Sequence, residues 1–125
     1  MKKILSYWAP IFVYMAGILV LSLAPEAQTP QILEIDKILH LGAYGVMAIL
    51  WLRAFDTLKI GAKTALLISV SIVIVFGATI EFAQGYVPER KASLADGLAN
   101  AVGAFAGAWL YRLITDRKKS CNACP

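Results

Sequence analysis

The sequence predicts an all-α fold, a four-helix transmembrane bundle with both termini in the cytoplasm. Hydrophobic residues make up 59% of the 125-residue chain and charged residues only 16%. An average soluble domain is roughly 45–50% apolar and about 25% charged, so this chain departs from it in both respects. A mean hydropathy of +0.68 and four long apolar stretches with short polar connections therefore indicate a small integral membrane protein.

Each apolar stretch is long enough to cross a bilayer as a helix. The stretches run from about residue 4 to 24, 37 to 55, 62 to 84 and 95 to 115. Since a helix rises about 1.5 Å per residue, about 20 residues span a hydrocarbon core of about 30 Å. The first stretch exceeds the usual apolar core of a signal peptide, and Pro25 follows its best small-residue cleavage site, so we expect a retained helix.

The basic residues predict the orientation of the bundle. With the N-terminus inside, nine of the twelve lysines and arginines lie at the inner ends of the helices, namely Lys2, Lys3, Arg53, Lys59, Lys63, Arg112, Arg117, Lys118 and Lys119. The other three, Lys37, Arg90 and Lys91, lie at the outer ends. Because cytoplasmic segments of membrane proteins are enriched in lysine and arginine, we expect a multi-pass protein with both termini in the cytoplasm. The basic residues form no face or stripe, which excludes a nucleic-acid partner.

The last five residues carry both cysteines of the chain. We expect residues 1–115 to form one four-helix membrane domain, and residues 116–125 a short basic cytoplasmic tail that contains Cys121-x-x-Cys124. A tetrahedral zinc site needs four ligands, and the chain has no second pair of cysteines. We interpret the motif as an inert tail, and the alternative is a zinc ion shared between two chains.

Polar residues from three segments converge on one layer at the outer ends of the helices. They are Asp36, His40 and Tyr44 on the second helix, Glu81 and Gln84 on the third, Arg90 in the following loop, and Ser93, Asp96 and Asn100 on the fourth. Residues four apart lie on the same side of a helix. On the fourth helix the polar residues share a face with Gly103 and Gly107, a spacing that lets helices approach closely. We therefore expect this face to point into the bundle and not toward lipid.

Some of these residues also fit purely structural roles. Ser93-x-x-Asp96 resembles a capping box with aspartate in place of glutamate, and Asp36 is placed to cap the second helix. Gln84 and Asn100 are suited to hold helices together through hydrogen bonds. Structural and functional roles both stay open for these residues.

His40 and Glu81 are the strongest candidates for a functional site. His40 is the only histidine, about one turn inside its helix, and Glu81 follows a long run of uncharged residues. Ionisable groups inside a membrane are costly, and they commonly mark functional sites. With Asp96 they are the candidate catalytic residues. With Asp36 and Asp96 they are the candidate ligands of a divalent cation.

Three motifs occur in a fixed order along the chain. They are Asp36-Lys37-x-x-His40-x-x-x-Tyr44, Glu81-x-x-Gln84, and Arg90-x-x-Ser93-x-x-Asp96-x-x-Ala99-Asn100-x-x-Gly103-x-x-x-Gly107. In this order they resemble the VanZ-like family of small membrane proteins. That family takes its name from a bacterial protein associated with low-level resistance to teicoplanin. The resemblance therefore implies a bacterial plasma-membrane protein with a role in the cell envelope or in glycopeptide tolerance, and it implies no particular reaction.

Three functions fit these residues. The first is a site that binds an anionic lipid or a lipid-linked cell-wall precursor, with its phosphate near the positive N-terminal ends of the second and fourth helices. The second is an intramembrane enzyme, in which a divalent cation activates water or Glu81 and His40 act as base and acid. The third is an ion- or proton-coupled transporter, although the inner halves of the third and fourth helices offer no polar path. A homo-oligomer stays open.

Overall fold

Four α-helices build the fold. The structure, a computed structural model, describes residues 2–24, 33–87 and 93–122. Within these residues no strand is present, and the helices are α1 (Lys2–Leu23), α2 (Leu33–Phe55), α3 (Ala62–Gln84) and α4 (Leu94–Asn122). The all-helical prediction is therefore confirmed, and each helix covers nearly all of the apolar stretch expected for it.

Three of the described helices have the length and composition of a membrane span. The spans lie within α1, α2 and α3, over Leu5–Leu23, Lys37–Phe55 and Ala62–Gln84. α4 is not among them, because Asp96, Asn100 and Arg112 lower its hydropathy. At about 1.5 Å per residue, the 29 residues of α4 measure about 43 Å, which exceeds the bilayer core of about 30 Å.

Two helices extend more than two residues beyond their predicted limits. α2 begins at Leu33, three residues before Asp36, so Asp36 lies in the first turn and not at the N-cap position. The expectation that Asp36 caps this helix is therefore wrong, because a capping residue directly precedes the first helical residue. α4 continues to Asn122, so residues 116–122 of the expected tail are helical. Arg90 and Lys91 lie outside the described residues.

α2 and α4 form the most extensive helix–helix contact of the described residues. Gly103 and Gly107 make this contact possible, because their backbone packs directly on that of α2. A Cβ atom added to Gly103 would lie 2.9 Å from the carbonyl carbon of Leu41, and one added to Gly107 would lie 2.7 Å from that of Gly45. Carbon atoms in ordinary contact are about 3.5–4.0 Å apart. The small-residue face of α4 therefore points into the bundle, as its spacing predicts.

α1 is attached to one side of the bundle. Trp8 packs edge-on against Trp51 and Phe55 of α2, with ring centroids 5.9 and 5.7 Å apart. The Tyr14 hydroxyl donates a hydrogen bond of 3.0 Å to the Ala43 carbonyl oxygen. Within the described ranges α1 contacts α2 and α3 but not α4. Only 6% of the α1 span is buried, which leaves most of this helix exposed to its surroundings.

The bundle has two chemically different ends. At one end, which we call the polar end, α1 and α3 terminate and α2 and α4 begin. At the other, which we call the loop end, residues 56–61 join α2 to α3. The core between them is largely apolar, with Met47, Leu52 and Val73 fully buried. This arrangement separates the polar side chains of the polar end from the charged residues of the loop end.

Candidate functional site

His40 is held between α2 and α4 near the polar end. Its Nδ1 lies 2.9 Å from Asn100 Oδ1, so the ring nitrogen donates a proton to the amide oxygen. One turn further along α2, the ring of Tyr44 stacks on that of His40, with centroids 6.2 Å apart and planes inclined by 12°. Asn100 is 2% exposed. The prediction that His40 and Tyr44 lie on the same side of α2 is therefore confirmed. Asn100, on the inward face of α4, contacts that side.

Gly77 of α3 makes room for this group. A Cβ atom at this position would lie 2.8 Å from Tyr44 Cε1 and 3.3 Å from Asn100 Nδ2. Any side chain here would push the tyrosine ring or the amide away. Sequence reasoning missed Gly77, although it lies one turn before Glu81 and so shares a side of α3 with that carboxylate.

Glu81 joins α3 to the start of α4. Its Oε2 accepts a hydrogen bond of 3.1 Å from the backbone N–H of Ser93. Ser93 Oγ accepts one of 3.4 Å from the backbone N–H of Asp96, which confirms Ser93 as the N-cap of α4. In a complete capping box a side chain of the same helix binds the N-cap N–H. Here the carboxylate of α3 takes that place, so Glu81 also has a structural role.

Three buried polar atoms of this region have no hydrogen-bond partner among the described residues. They are the Tyr44 hydroxyl oxygen, Glu81 Oε1 and Asn100 Nδ2. The Glu81 carboxylate is close enough to the Tyr44 hydroxyl to act on it electrostatically. A buried polar group without a partner costs about 1–3 kcal/mol. We call His40, Tyr44, Glu81 and Asn100 the polar cluster.

The polar cluster lies below the helix ends, inside the bundle. His40 and Tyr44 are the eighth and twelfth residues of α2, and Asn100 is the seventh of α4. At about 1.5 Å per residue they lie about 10, 16 and 9 Å from the first residue of their helices. Glu81 lies three residues before the end of α3. The apolar span of α2 begins at Lys37, about 4 Å before His40 and about 10 Å before Tyr44 along the helix, so the polar cluster lies close to the polar-end limit of that span.

The remaining predicted site residues lie apart from this group or outside the described side chains. Gln84 is buried against α1, where its Nε2 donates a hydrogen bond of 3.1 Å to the Ser22 carbonyl oxygen. Asp96 lies in the first turn of α4. The side chain of Asp36 and all of Arg90 are outside what the structure describes. The described residues contain no group of three or more His, Cys, Asp and Glu able to hold a metal, so the set that includes Asp36 stays a prediction.

Comparison with known proteins assigns the chain to a family. Residues 3–115 match the family described as VanZ/LLP1, a range that contains nearly all of α1, the whole of α2 and α3, and the whole polar cluster. The chain belongs to the VanZ/LLP1 family. The resemblance carried by the three ordered motifs is thus confirmed, and the match extends it to the first helix. No curated protein and no solved structure matches the chain.

Family membership and the apolar helices together indicate that this VanZ/LLP1 protein is a membrane protein. The chemistry of its polar cluster follows from the atoms that lack partners. The Asn100 amide donates hydrogen bonds, the Glu81 carboxylate accepts them when ionised, and the Tyr44 hydroxyl does either. Such a set suits a ligand with both acceptor oxygens and hydroxyl groups, which is the composition of a phosphorylated or glycosylated headgroup.

Proposed function

We propose that this VanZ/LLP1 protein binds an anionic lipid or a lipid-linked cell-wall precursor at the polar cluster, in the outer leaflet of the bacterial plasma membrane. One observation carries the proposal. Three helices place the Tyr44 hydroxyl, Glu81 Oε1 and Asn100 Nδ2 together in a buried position without partners among the described residues. A ligand that supplies those hydrogen bonds offsets a cost of about 1–3 kcal/mol for each atom.

The position of the cluster favours a lipid over a water-soluble ligand. His40 and Tyr44 lie about 4 and 10 Å past Lys37, where the apolar span of α2 begins, and Glu81 lies three residues before the end of the α3 span, so the cluster borders the lipid-facing part of the helices. A ligand that reaches it from the bilayer keeps its acyl or prenyl chain in lipid while its headgroup enters the bundle. The N-termini of α2 and α4 both lie at this end, and the partial positive charge of helix N-termini favours phosphate.

We propose that α4 is a fourth membrane span, which brings both termini to the cytoplasm. The polar residues that lower its hydropathy lie mainly on its inward face. Its outward face is apolar, since Leu98, Val102, Phe105 and Trp109 are between 54% and 68% exposed. A helix with this distribution is suited to a bilayer when its polar face packs against other helices.

Cys121 offers a test of this topology because its thiol is exposed near the end of α4. In a Cys124→Ser variant, a membrane-impermeant maleimide should label Cys121 in inside-out vesicles and not in intact cells. Labelling in intact cells alone would contradict the proposed orientation.

Native mass spectrometry of the gently purified protein tests the ligand proposal. We expect the wild type to retain an anionic lipid, and Glu81→Gln and Tyr44→Phe to lose it. Glutamine keeps an oxygen for the Ser93 N–H, so Glu81→Gln should still fold. Ser69→Ala is the matched control, because the buried Ser69 hydroxyl already bonds the Ala65 carbonyl oxygen at 2.7 Å and lies outside the cluster. Equal retention by all four proteins, or by none, would contradict the proposal.

A second candidate function is hydrolysis of the bound lipid. The hydrogen bond from His40 Nδ1 to Asn100 Oδ1 favours it, because a fixed imidazole is the usual general base of such sites. Release of a headgroup from the retained lipid by wild type, and not by His40→Gln, would support this function. Ion or proton transport is less well supported, because the described core between the two ends consists largely of apolar residues such as Met47 and Leu52.

Cell-envelope function has its own test. We propose that binding at the cluster contributes to teicoplanin tolerance, as the family name suggests. Expression in a teicoplanin-susceptible bacterium should raise the inhibitory concentration for wild type and Ser69→Ala, and not for Glu81→Gln at equal membrane abundance. Equal teicoplanin susceptibility in all strains would show that binding at the polar cluster does not contribute to drug tolerance.

A further inference from the structure

A second polar site lies at the loop end, opposite the polar cluster. A cleft of about 270 Å³ is lined there by Tyr7 of α1, by Arg53, Asp56 and Thr57 at the end of α2, and by Tyr111 of α4. We call it the loop-end cleft. It exists because α1 and α4 both approach α2 but make no contact with each other in the described residues.

The carboxylate that lines this cleft is already neutralised. Asp56 Oδ2 accepts a hydrogen bond of 2.8 Å from the Tyr111 hydroxyl, and Asp56 Oδ1 lies 3.2 Å from Arg112 Nη1. Arg112 also donates a hydrogen bond of 3.2 Å to the Ala62 carbonyl oxygen, which fixes its guanidinium against the start of α3. The charges of Asp56 and Arg112 therefore cancel, and the charge that remains at the cleft is that of a second arginine.

That second arginine is Arg53. Its guanidinium carbon lies 5.7 Å from the centroid of the Tyr7 ring, and the Arg53 side chain is exposed. No carboxylate among the described residues forms an ion pair with it. Tyr7 thus orients a guanidinium whose N–H donors have no anionic partner in the described part of the chain. An arginine without an anionic partner can donate two parallel hydrogen bonds to two oxygens of one phosphate, a geometry that lysine cannot provide.

The surroundings of the cleft are those of a membrane interface. Trp109, which is 67% exposed, lies two residues before Tyr111 on α4. Tryptophan and tyrosine concentrate at the level of lipid headgroups. The volume of 270 Å³ falls just below the range of about 300–1,000 Å³ that is usual for small-molecule sites, so it suits one phosphate group with its ester oxygens.

We propose that the loop-end cleft binds the phosphodiester group of an anionic phospholipid, with Arg53 as the ligand of the phosphate and Tyr7 as the residue that positions Arg53. Basic pockets between membrane helices commonly hold such headgroups. The proposal is independent of the function proposed for the polar cluster, because the two sites lie at opposite ends of the bundle and share no residue.

Lipid titration followed by native mass spectrometry tests the proposal with the full-length protein in a non-ionic detergent. The probes are phosphatidylglycerol, phosphatidylcholine and inorganic phosphate. Loss of a hydrogen bond to a charged group corresponds to a fall of about tenfold or more in affinity. We therefore expect Arg53→Gln to bind phosphatidylglycerol about tenfold more weakly than wild type, and Arg53→Lys to fall between the two.

Arg117→Gln is the matched control, because it removes the same charge from an exposed residue of α4 that does not line the cleft. The comparison is made in a Glu81→Gln background, which removes the lipid proposed for the polar cluster, and there we expect Arg117→Gln to bind phosphatidylglycerol as the Glu81→Gln parent does. Equal losses in Arg53→Gln and Arg117→Gln would overturn the proposal, since they would reflect net charge alone. Displacement of the lipid by inorganic phosphate would overturn the lipid assignment. If Arg53→Gln lowers the melting temperature, Tyr7→Leu provides a second variant with the same expected loss.

Discussion

Two tyrosines of the bundle are predicted to respond in opposite directions to the same substitution. Tyr44 is 2% exposed and its hydroxyl has no partner among the described residues, whereas the Tyr14 hydroxyl donates to the Ala43 carbonyl oxygen at 3.0 Å. Replacement by phenylalanine removes one oxygen in each case. At Tyr44 it removes a buried unpaired group, which costs about 1–3 kcal/mol, and at Tyr14 it removes a hydrogen bond worth about 0.5–1.5 kcal/mol.

The ligand-free protein should therefore gain stability from Tyr44→Phe and lose it from Tyr14→Phe. For a domain of this size 1 kcal/mol corresponds to about 4 °C in Tm. We expect Tyr44→Phe to raise the Tm of detergent-washed protein by about 4 °C or more, and Tyr14→Phe to lower it by about 2–6 °C. Tryptophan fluorescence follows the transition, because Trp8 and Trp51 lie in the contact between α1 and α2.

Comparing Tyr44→Phe with Tyr14→Phe also tests whether the Tyr44 hydroxyl belongs to a binding site or has only a structural role. In bilayers of bacterial lipid the gain from Tyr44→Phe should shrink or reverse, because a ligand that bonds the hydroxyl stabilises the wild type more. The loss from Tyr14→Phe should be the same in detergent and in bilayers. A fall in Tm for Tyr44→Phe in detergent, as large as that for Tyr14→Phe, would refute the reasoning, because it would show that the hydroxyl has a partner without any ligand.

Three further predictions concern packing and the helix ends. Gly103→Ala should lower stability by about 1–3 kcal/mol because its Cβ meets the backbone of α2; Gly97→Ala, with open space around it, is the control, and an equal Tm for both would contradict the close packing. Ser93→Ala should lower stability by about 0.5–1 kcal/mol through loss of the α4 cap, and Ser93→Thr should restore most of it in the same melting assay. Asp56→Asn should cost at most about 1 kcal/mol, because Asp56 is 37% exposed in its ion pair with Arg112 and solvent screens such pairs. A stability difference between wild type and Asp56→Asn that is the same at low and high salt would contradict this reasoning, because it would show that the pair is not screened.

The helices could be predicted because the length of an apolar stretch is a property of the sequence alone. The boundaries that differ lie where polar residues continue a helix, at the start of α2 near Leu33 and in the last turns of α4 up to Asn122. Backbone hydrogen bonds continue through such residues regardless of their hydropathy. An apolar criterion therefore marks the apolar part of a helix, and it misses the polar residues that continue the helix beyond it.

Only part of the candidate site could be predicted in the same way. Residues on one helix were placed correctly by their spacing, as for His40 with Tyr44. Contacts between helices depend on how each helix is rotated about its own axis, which the sequence does not state. Two contacts between helices could not be predicted for this reason. The Glu81 carboxylate accepts a hydrogen bond from a backbone N–H, that of Ser93, and every residue but proline has such a group. Gly77 contributes only by having no side chain, which leaves space for Tyr44 and Asn100.

The contact between α2 and α4 has a consequence for the biogenesis of the protein. The ribosome completes α1, α2 and α3 before α4, so the principal packing partner of α2 becomes available last. Until then Gly45 of α2 lacks the backbone of Gly107 that packs on it, and His40 lacks its hydrogen bond to Asn100. The bundle therefore closes only after synthesis is nearly complete, and a chain that stops before residue 93 lacks both the main packing partner of α2 and the amide that holds His40.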